Sequence, residues 1–268
     1  MINNKKIVIV MPAYNAQATL KETFEAIPKE IADEIILVDD CSNDNTVELS
    51  KELGIKTFVH NKNLGYGGNQ KTCYKEALDL GADIVIMLHP DFQYDPRLIP
   101  SLVSMIAYNN YDCAIASRML VGSAKNSKMP KYKYFANKFL TAFQNLFLNK
   151  NLSEYHSGYR AFSSEVLRNL PYEKMSNDFI FDNEMLALIY YKNYSIGEIS
   201  CPTKYFDGAS SINFLRSCKY GFGVLGVSLK YFLAYTGIYK SKIFKQEAKK
   251  LDINAELPYY HKSEEVKS

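Results

Sequence analysis

Five short apolar runs recur through the first 118 residues, and each of the first four precedes a stretch with helical features. The runs that read as strands are residues 7–11, 34–40, 56–60, 83–88 and 112–118. Helical signals cover residues 19–30, 43–54, 64–81 and 96–109. Strands separated by helices of about ten to fifteen residues predict an α/β domain whose mostly parallel sheet is covered by helices on both faces.

This alternation also predicts where a ligand binds. In open parallel sheets the ligand lies beyond the carboxyl ends of the strands. The loops that follow such ends here are residues 12–15, 39–42, 63–68 and 89–95. We therefore expect the functional site to be built from these four loops.

Composition excludes several classes of protein. The chain has 268 residues, which suits one large domain, and its 32 Lys+Arg against 29 Asp+Glu leave a net charge of +3. Such a small excess does not favour nucleic acid as the partner. Its five cysteines include no CxxC pair, which argues against a disulfide framework or a zinc site. The first apolar run stops at Pro12, too short for a signal peptide, so a cytoplasmic protein is expected.

Taken singly, the polar loops are ambiguous. The Asp39–Asp40 pair ends a predicted strand and could bind a base or ribose, or cap the next helix. The glycine-rich segment 64–71 could present backbone N–H groups to a phosphate, or simply make a left-handed turn. Arg160 could contact phosphate, although a lone arginine more often lies at the surface.

The loop after the fourth strand has its own pair of interpretations. Asp91, with Gln93 beside it, could hold Mg²⁺ or Mn²⁺ against a diphosphate, because these ions need few protein carboxylates when phosphate and water complete the shell. Alternatively, Pro90, Asp95 and Pro96 make a turn that leaves Asp91 in solvent.

Seven segments occur in the order found in family 2 glycosyltransferases: MPAYN, VDDCSNDNT, NKNLGYGGN, HPDFQYDP, ASR, SGYRAF and FDNEM. The chain most resembles the branch of dolichyl- and polyprenyl-phosphate sugar synthases, over roughly residues 6–214. The resemblance implies an A-type glycosyltransferase fold with a Rossmann-like, mostly parallel sheet. It further implies inverting transfer of a hexose-type sugar from a UDP- or GDP-linked donor.

The same resemblance nominates individual residues. It assigns nucleotide binding to Pro12, Tyr14, Asn15, Val38, Asp40, Asp91, Arg118 and Lys204. The family's metal-binding Asp-x-Asp segment reads His89-Pro90-Asp91-Phe92-Gln93 here, so Asp91 and Gln93 match while His89 replaces the first aspartate. Imidazole can ligate Mn²⁺ and is a poorer partner for Mg²⁺, and the divalent cofactor is expected to be one of these two ions.

Two acidic residues are the candidates for catalysis. Asp182 matches the family's acidic residue near the acceptor and is the first choice for a base or for orienting the acceptor. Glu154 is the second choice. Asp182 could instead be the N-cap of the following helix. A lipid phosphate acceptor is already ionised and needs no strong base. Because His89 departs from the family pattern, the alternative is a non-catalytic protein that binds nucleotide sugars.

The C-terminal region bears on the acceptor. We divide the chain into a catalytic domain, 1–214, an amphipathic aromatic and basic helical extension, 215–250, and a polar tail expected to be flexible, 251–268. Residues 240–250 hold five Lys and one Glu, a net charge of 5 − 1 = +4, beside an aromatic stretch without an 18-residue uncharged run. This pattern favours contact with an anionic membrane surface over a spanning helix.

A helix packed on the sheet and followed by a solvated tail is the other interpretation of the same region. We expect a polyprenyl phosphate or a lipid-linked or cell-envelope glycan as acceptor, at the inner face of the cell membrane. The tyrosine-rich helices near residues 220–239 would suit a homodimer equally well.

Overall fold

One eight-stranded sheet organises the protein. The computed structural model describes residues 2–120, 129–203, 214–241, 243–244 and 264–266. The strands are β1 (Ile7–Ala13), β2 (Glu34–Asp39), β3 (Lys56–Val59), β4 (Ile84–Met87), β5 (Cys113–Ser117), β6 (Arg160–Ser163), β7 (Ile196–Ser200) and β8 (Glu264–Val266). Their order is β7-β5-β6-β4-β1-β2-β3-β8, and six of them run in one direction, with β6 and β8 antiparallel to their neighbours.

Helices follow most strands. They are α1 (Leu20–Glu25), α2 (Thr46–Glu52), α3 (Tyr66–Asp79), α4 (Ile99–Ala107), α5 (Lys131–Leu148), α6 (Ser164–Asn169), α7 (Phe181–Tyr191) and α8 (Phe214–Tyr235). The predicted alternation of strands and helices is confirmed. The helix predicted over 19–30 is shorter, because it ends before Pro28 and the residue before a proline disfavours helical geometry.

The sheet is buried on both faces, as predicted. The side chains of β1 alternate between two hydrophobic clusters: Val8 and Val10 pack with α3 and α7 residues, whereas Ile7, Ile9 and Met11 pack with α4 residues. All seven residues of β1 are buried. This explains why the strand has a continuous apolar run instead of alternating polar positions.

The C-terminal helix α8 packs against α5 and α7. Phe147 of α5 meets Phe232 of α8 edge to face, with ring centroids 5.6 Å apart. Among the described residues, no helix has the combined length and apolar character that crossing a bilayer requires. The short strand β8 lies within the segment predicted as a flexible tail and pairs with β3; the other tail residues lie outside the described part of the chain.

Candidate functional site

The four predicted loops meet in one cavity of about 920 Å³ at the carboxyl edge of the sheet. Of the predicted site residues, its lining includes Pro12, Tyr14, Asn15, Asp40, His89 and Asp91. Each loop contains one residue with a left-handed backbone: Asn15 (φ 51°), Cys41 (φ 63°), Gly65 (φ 85°) and Phe92 (φ 52°). Cysteine and phenylalanine rarely adopt this conformation, and such strain concentrates at functional sites.

Short polar side chains join the first two loops. The backbone N–H of Asn15 donates to Ser42 Oγ at 2.8 Å, and Asn15 Oδ1 accepts from the N–H of Asn43 at 2.8 Å. The Asp39 carboxylate accepts from the N–H of Ser42 at 2.8 Å, and burial raises the pKa of Asp39. These bonds hold Tyr14 and Asn15 at the mouth of the cavity in a fixed arrangement.

Asp40 holds the third loop in place. Its carboxylate accepts from the N–H groups of Leu64 at 2.7 Å and Gly65 at 2.9 Å, and lies 2.8 Å from Nδ1 of buried His60. The alternative that Asp39 or Asp40 caps the next helix is wrong, because α2 begins six residues after Asp40, at Thr46. The Asp40 side chain also lines the cavity. Its contact with the base of a nucleotide is therefore compatible with this position and stays a prediction.

The glycine-rich segment acts as a turn that packs against another loop. Gly65 supplies the positive φ, and the Gly67 N–H donates to the Asn177 carbonyl at 2.8 Å. A Cβ on Gly67 would lie 2.5 Å from the Ser176 carbonyl oxygen. Protein acceptors therefore already occupy the amides of Gly65 and Gly67 that were considered for phosphate binding.

A second cavity of about 390 Å³ adjoins the first, between the loops and helices α5 and α8. The two cavities share Tyr66, His89, Asp91, Phe179 and Tyr220. Arg118, Gln93 and Asp182 line the second cavity instead of the first. His89 and Asp91 therefore lie where the two cavities meet, and a ligand in either one can approach them.

His89 belongs to a chain of hydrogen bonds that leads into the protein. Its Nε2 lies 3.2 Å from the Tyr66 hydroxyl, which itself donates to Asp182 Oδ2 at 2.7 Å. Because the Tyr66 proton is directed at Asp182, Nε2 of His89 must carry a proton and Nδ1 holds the lone pair. Burial lowers the pKa of His89, which keeps the ring neutral. A metal ion would therefore have to use Nδ1.

The Asp182 carboxylate is already engaged. Besides Tyr66, it accepts from Gln70 Nε2 at 3.2 Å and pairs with Arg160 Nη1 at 3.2 Å. Helix α7 begins at Phe181, so Asp182 lies in its first turn and the N-cap interpretation is wrong. The side chain still borders the second cavity, and its predicted role in orienting the acceptor stays a prediction.

Arg160 is buried under the site and contacts protein carbonyl groups. It donates to Ser157 O at 2.7 Å, Asp182 O at 2.9 Å and Tyr155 O at 3.0 Å. The sequence suggested that Arg160 contacts phosphate or lies at the surface, and both interpretations are wrong. The guanidinium neutralises Asp182 and holds the loop before β6 in place.

The prediction that Glu154 is a catalytic residue is wrong. It is fully buried, and both of its carboxylate oxygens accept from Arg118, through the guanidinium and through the backbone N–H. A carboxylate in this position cannot take a proton from a substrate hydroxyl, because it has no access to either cavity. Its function is to hold Arg118, whose side chain borders the second cavity.

Val38 and Lys204 are the other two residues that were predicted to contact the nucleotide. The predicted nucleotide contact of Val38 cannot be made by its side chain, which has no exposed surface and packs in the core beside α3. Its carbonyl is also occupied, by Asn69 Nδ2 at 3.0 Å. Lys204 lies outside the described residues.

Helix α8 contributes residues that were missed from the sequence. Arg216, Lys219 and Tyr220 line the first cavity, and Tyr220 also borders the second together with His156. The available signal was the spacing of the two basic residues, three positions apart on a predicted helix, which places them on one face. They bring positive charge to the cavity, where Lys219 pairs with Asp178 at 2.7 Å.

Gly158 leaves room for the His89 ring, which gives a first prediction. A Cβ at this position would lie 2.6 Å from His89 Nε2 and 3.1 Å from the Tyr66 hydroxyl. We expect Gly158→Ala to displace His89, to destabilise the protein by about 1–3 kcal/mol and to weaken any ligand bound at the junction. Urea denaturation and ligand titration measure the two effects.

The matched control is Gly226→Ala in α8. A Cβ at Gly226 meets nothing within 4 Å, so this change should stabilise the helix by up to about 1 kcal/mol. Equal stability of Gly158→Ala and the wild type would contradict the placement of His89.

Known proteins resemble this chain in sequence and fold. An uncharacterised protein of Methanocaldococcus jannaschii is 31% identical over 211 residues, which cover 78% of this chain and 86% of that protein. A UDP-N-acetylglucosamine–dolichyl-phosphate N-acetylglucosaminyltransferase of Methanococcus voltae is 29% identical over 225 residues, 76% of this chain and 88% of that enzyme.

A solved structure shows the same fold. Glucosyl-3-phosphoglycerate synthase from Mycobacterium tuberculosis superposes with a TM-score of 0.66 at 16% identity, covering 85% of this chain and 79% of that one. The predicted A-type glycosyltransferase fold is thereby confirmed. The sequence model described as "Glycosyl transferase family 2" matches residues 8–170. This chain is therefore a family 2 glycosyltransferase, of the branch that resembles dolichyl- and polyprenyl-phosphate sugar synthases.

Proposed function

We propose that this protein transfers a hexose-type sugar, with inversion, from a UDP- or GDP-linked donor to a polyprenyl phosphate at the inner face of the cell membrane. The observation that carries the proposal is the junction of two cavities at His89 and Asp91. The larger cavity is built from the four loops that should hold a nucleotide. The smaller one opens between two aromatic helices and suits the end of a lipid phosphate.

Relatives support both the proposed donor and the proposed acceptor. The Methanococcus voltae enzyme is named for UDP-N-acetylglucosamine as donor and dolichyl phosphate as acceptor. The Mycobacterium tuberculosis synthase was crystallised with Mn²⁺, UDP and phosphoglyceric acid, an acceptor that also carries a phosphate. A nucleotide in the larger cavity of this chain would place its diphosphate toward Asp91.

The donor atoms at the junction fit a divalent metal ion. Asp91 supplies a carboxylate, with His89 and Gln93 nearby in the same loop, and the described residues contain no cluster of three or more His, Cys, Asp or Glu side chains. Such a sparse set suits Mg²⁺ or Mn²⁺, which complete their shells with phosphate oxygens and water. When bound, the ion would neutralise charge on the leaving diphosphate.

The transfer step assigns distinct roles to the acidic and basic residues around the two cavities. An ionised phosphate oxygen of the acceptor attacks the anomeric carbon, and the bond from that carbon to the donor diphosphate breaks with its electron pair. No proton has to be removed from the acceptor, which agrees with the full engagement of Asp182 and the burial of Glu154. Arg118 borders the second cavity and pairs with Glu154, while Arg216 and Lys219 line the first, where Lys219 pairs with Asp178 at 2.7 Å. The N–H groups of these three residues are the donors that we expect to contact the phosphates.

A stripe of exposed apolar side chains supports a membrane-bound acceptor. On α5 the stripe consists of Tyr132, Phe135, Phe139 and Leu146, and on α8 of Phe222, Leu229 and Phe232. These positions recur every three, four or seven residues and so share the outer face of each helix. Large exposed apolar side chains grouped along two packed helices are typical of an interaction site. Exposed Lys131 and Lys138 on α5 would complement anionic lipids.

Vesicle binding tests this surface. We expect the double change Phe135→Glu and Phe139→Glu to reduce co-flotation with anionic vesicles by at least about tenfold, because burial of each ring contributes about 1.5–3 kcal/mol. Tyr108→Glu is the matched control. Tyr108 directly follows α4, and its exposed fraction of 61% is close to the 68% and 63% of the two phenylalanines. If the double variant floats as well as the wild type, the stripe does not contact lipid.

The function itself is tested with purified protein, polyprenyl phosphate in vesicles, UDP- or GDP-sugars and Mg²⁺ or Mn²⁺. A sugar phosphate on the lipid is the expected product. Binding of one nucleotide sugar with no transfer to any acceptor would instead favour the non-catalytic binding protein. Transfer to a water-soluble glycan, with none to lipid phosphate, would contradict the proposed acceptor.

A further inference from the structure

His156 borders the second cavity with one ring nitrogen unused. Its Nδ1 lies 2.8 Å from the Tyr220 hydroxyl. Its Nε2 is buried and has no hydrogen-bond partner in the part of the chain that the structure describes. A buried polar atom without a partner costs about 1–3 kcal/mol. Beside a cavity, a water molecule or an oxygen of a bound ligand can provide the missing partner.

The neighbours of His156 determine which nitrogen carries the proton. With the Asn183 amide assigned so that Nδ2 faces Tyr220, Nδ2 donates to the Tyr220 hydroxyl oxygen at 2.5 Å. This assignment directs the Tyr220 proton to His156 Nδ1 and leaves Asn183 Oδ1 without a partner among the described residues. Nδ1 is then the acceptor, and Nε2 carries the proton. Burial lowers the pKa of His156 to about 4, so the ring stays neutral at physiological pH. Tyr220 and Asn183 thus present Nε2–H as a fixed donor.

The surroundings favour an anion as the missing partner. Arg118 and Lys133 border the same cavity, and Arg118 also donates to the His156 carbonyl at 3.1 Å. The two carboxylates that border the cavity on the loop side are Asp91 and Asp182, and the latter is neutralised by Arg160. Because Glu154 already pairs with Arg118, that guanidinium contributes N–H donors more than net charge. Lys133 of α5 supplies the positive charge that borders this cavity.

We propose that His156 donates its Nε2–H to an anionic oxygen of the acceptor's phosphate, and that this bond selects a phosphorylated acceptor over the corresponding alcohol. This inference rests on the proposed function and specifies its acceptor end. Tyr220 and Asn183 are positioning residues, because they act through the ring of His156 and set its tautomer. The phosphate is that of a lipid headgroup, and the test distinguishes it from free phosphate.

Steady-state kinetics test the contact. We expect His156→Ala to raise the KM for a short-chain isoprenyl phosphate by about 10- to 100-fold, which is the range for losing a hydrogen bond to a charged group, while the KM for the nucleotide sugar changes less than twofold. His156→Gln keeps an N–H donor of similar reach and should recover most of the loss. A rise in the donor's KM instead of the acceptor's would overturn the assignment.

Nitrogen-15 NMR of the histidine rings provides a readout that does not depend on catalysis. The chain has only four histidines, so His156→Gln identifies the His156 signals by difference. We expect the Nε2–H tautomer in the free protein, and a mixture of tautomers in Tyr220→Phe. The isoprenyl phosphate should shift the Nε2 signal, whereas the isoprenyl alcohol should not.

The outcomes separate this inference from the proposed function. A shift of Nε2 by the isoprenyl phosphate in a protein that transfers no sugar would support the contact and contradict the function. Active transfer with an unchanged acceptor KM in His156→Ala would contradict the contact and leave the function standing. A shift caused by inorganic phosphate but not by the isoprenyl phosphate would overturn the assignment to the acceptor.

Discussion

Replacing Asp91 with asparagine is expected to reduce sugar transfer by about 10³-fold and to abolish the effect of Mg²⁺ or Mn²⁺ on donor binding. Asp91 provides the carboxylate at the junction of the two cavities. The proposed mechanism places at this junction the charge that develops on the leaving diphosphate. An amide has a similar shape but cannot offset the charge of a divalent ion. Initial rates with saturating acceptor, and calorimetric titration of the donor with and without metal, measure the two effects.

Asp95→Asn is the matched control for this change. Asp95 lies in the same loop, where it caps the turn at Pro96–Leu98 and pairs with exposed Arg97. Asparagine is an equally good cap, so this variant should keep its stability and its rate within about threefold. If Asp91→Asn retained metal-dependent transfer at the wild-type rate, the junction would not be the metal site.

Replacing Glu154 with glutamine should destabilise the protein, because Glu154 has a structural role and is not a catalytic acid. Glu154 is fully buried against Arg118, and removing one partner of a buried pair costs about 3–5 kcal/mol because the other charge is left unpaired. In a chain of this size that corresponds to a fall in Tm of about 6–20 °C. Differential scanning calorimetry measures the shift.

The exposed glutamate Glu22 of α1 provides the comparison. Glu22→Gln makes the same chemical change at the surface and should alter the free energy of unfolding by less than about 0.5 kcal/mol. A Glu154→Gln variant that keeps the wild-type Tm and loses only kcat would contradict the structural role. It would restore Glu154 as a catalytic residue.

Periodicity was sufficient to predict the first half of the fold. The continuous apolar runs of β1, β2 and β4 predict strands buried on both faces, and the ligand edge follows from the direction of those strands. The meeting of residues 12–15, 39–42, 63–68 and 89–95 in one cavity agrees with that expectation. Local signals sufficed here because the features depend on residues that are close in the chain.

The roles of the buried charges could not be predicted in the same way. Glu154 binds an arginine 36 positions earlier, and Arg160 reaches an aspartate 22 positions later. Nothing in the local sequence distinguishes a carboxylate that faces a substrate from one that faces a guanidinium. The two acids considered for catalysis therefore required the structure before they could be assigned.

Long-range packing also explains the contribution of α8. Its basic residues were visible in the sequence, but their place at the first cavity depends on the packing of α8 against α5 and α7. The same packing turns Tyr220 toward His156, 64 positions earlier. For His89, the sequence was enough to show that a histidine replaces the first aspartate of the family's metal-binding segment. Only the structure shows that its Nε2 is hydrogen-bonded to the Tyr66 hydroxyl.

The central claim is that the two adjoining cavities hold a nucleotide sugar and a lipid phosphate at the same time. The most direct measurement is mass spectrometry of the lipid fraction after incubating the protein with vesicles of polyprenyl phosphate, a panel of UDP- and GDP-sugars, and Mg²⁺ or Mn²⁺. We expect one metal-dependent polyprenyl-phosphate sugar, absent with Asp91→Asn and retained with Asp95→Asn. A lipid fraction without glycosylated product for every donor, from folded protein that binds both the vesicles and a nucleotide sugar, would contradict it.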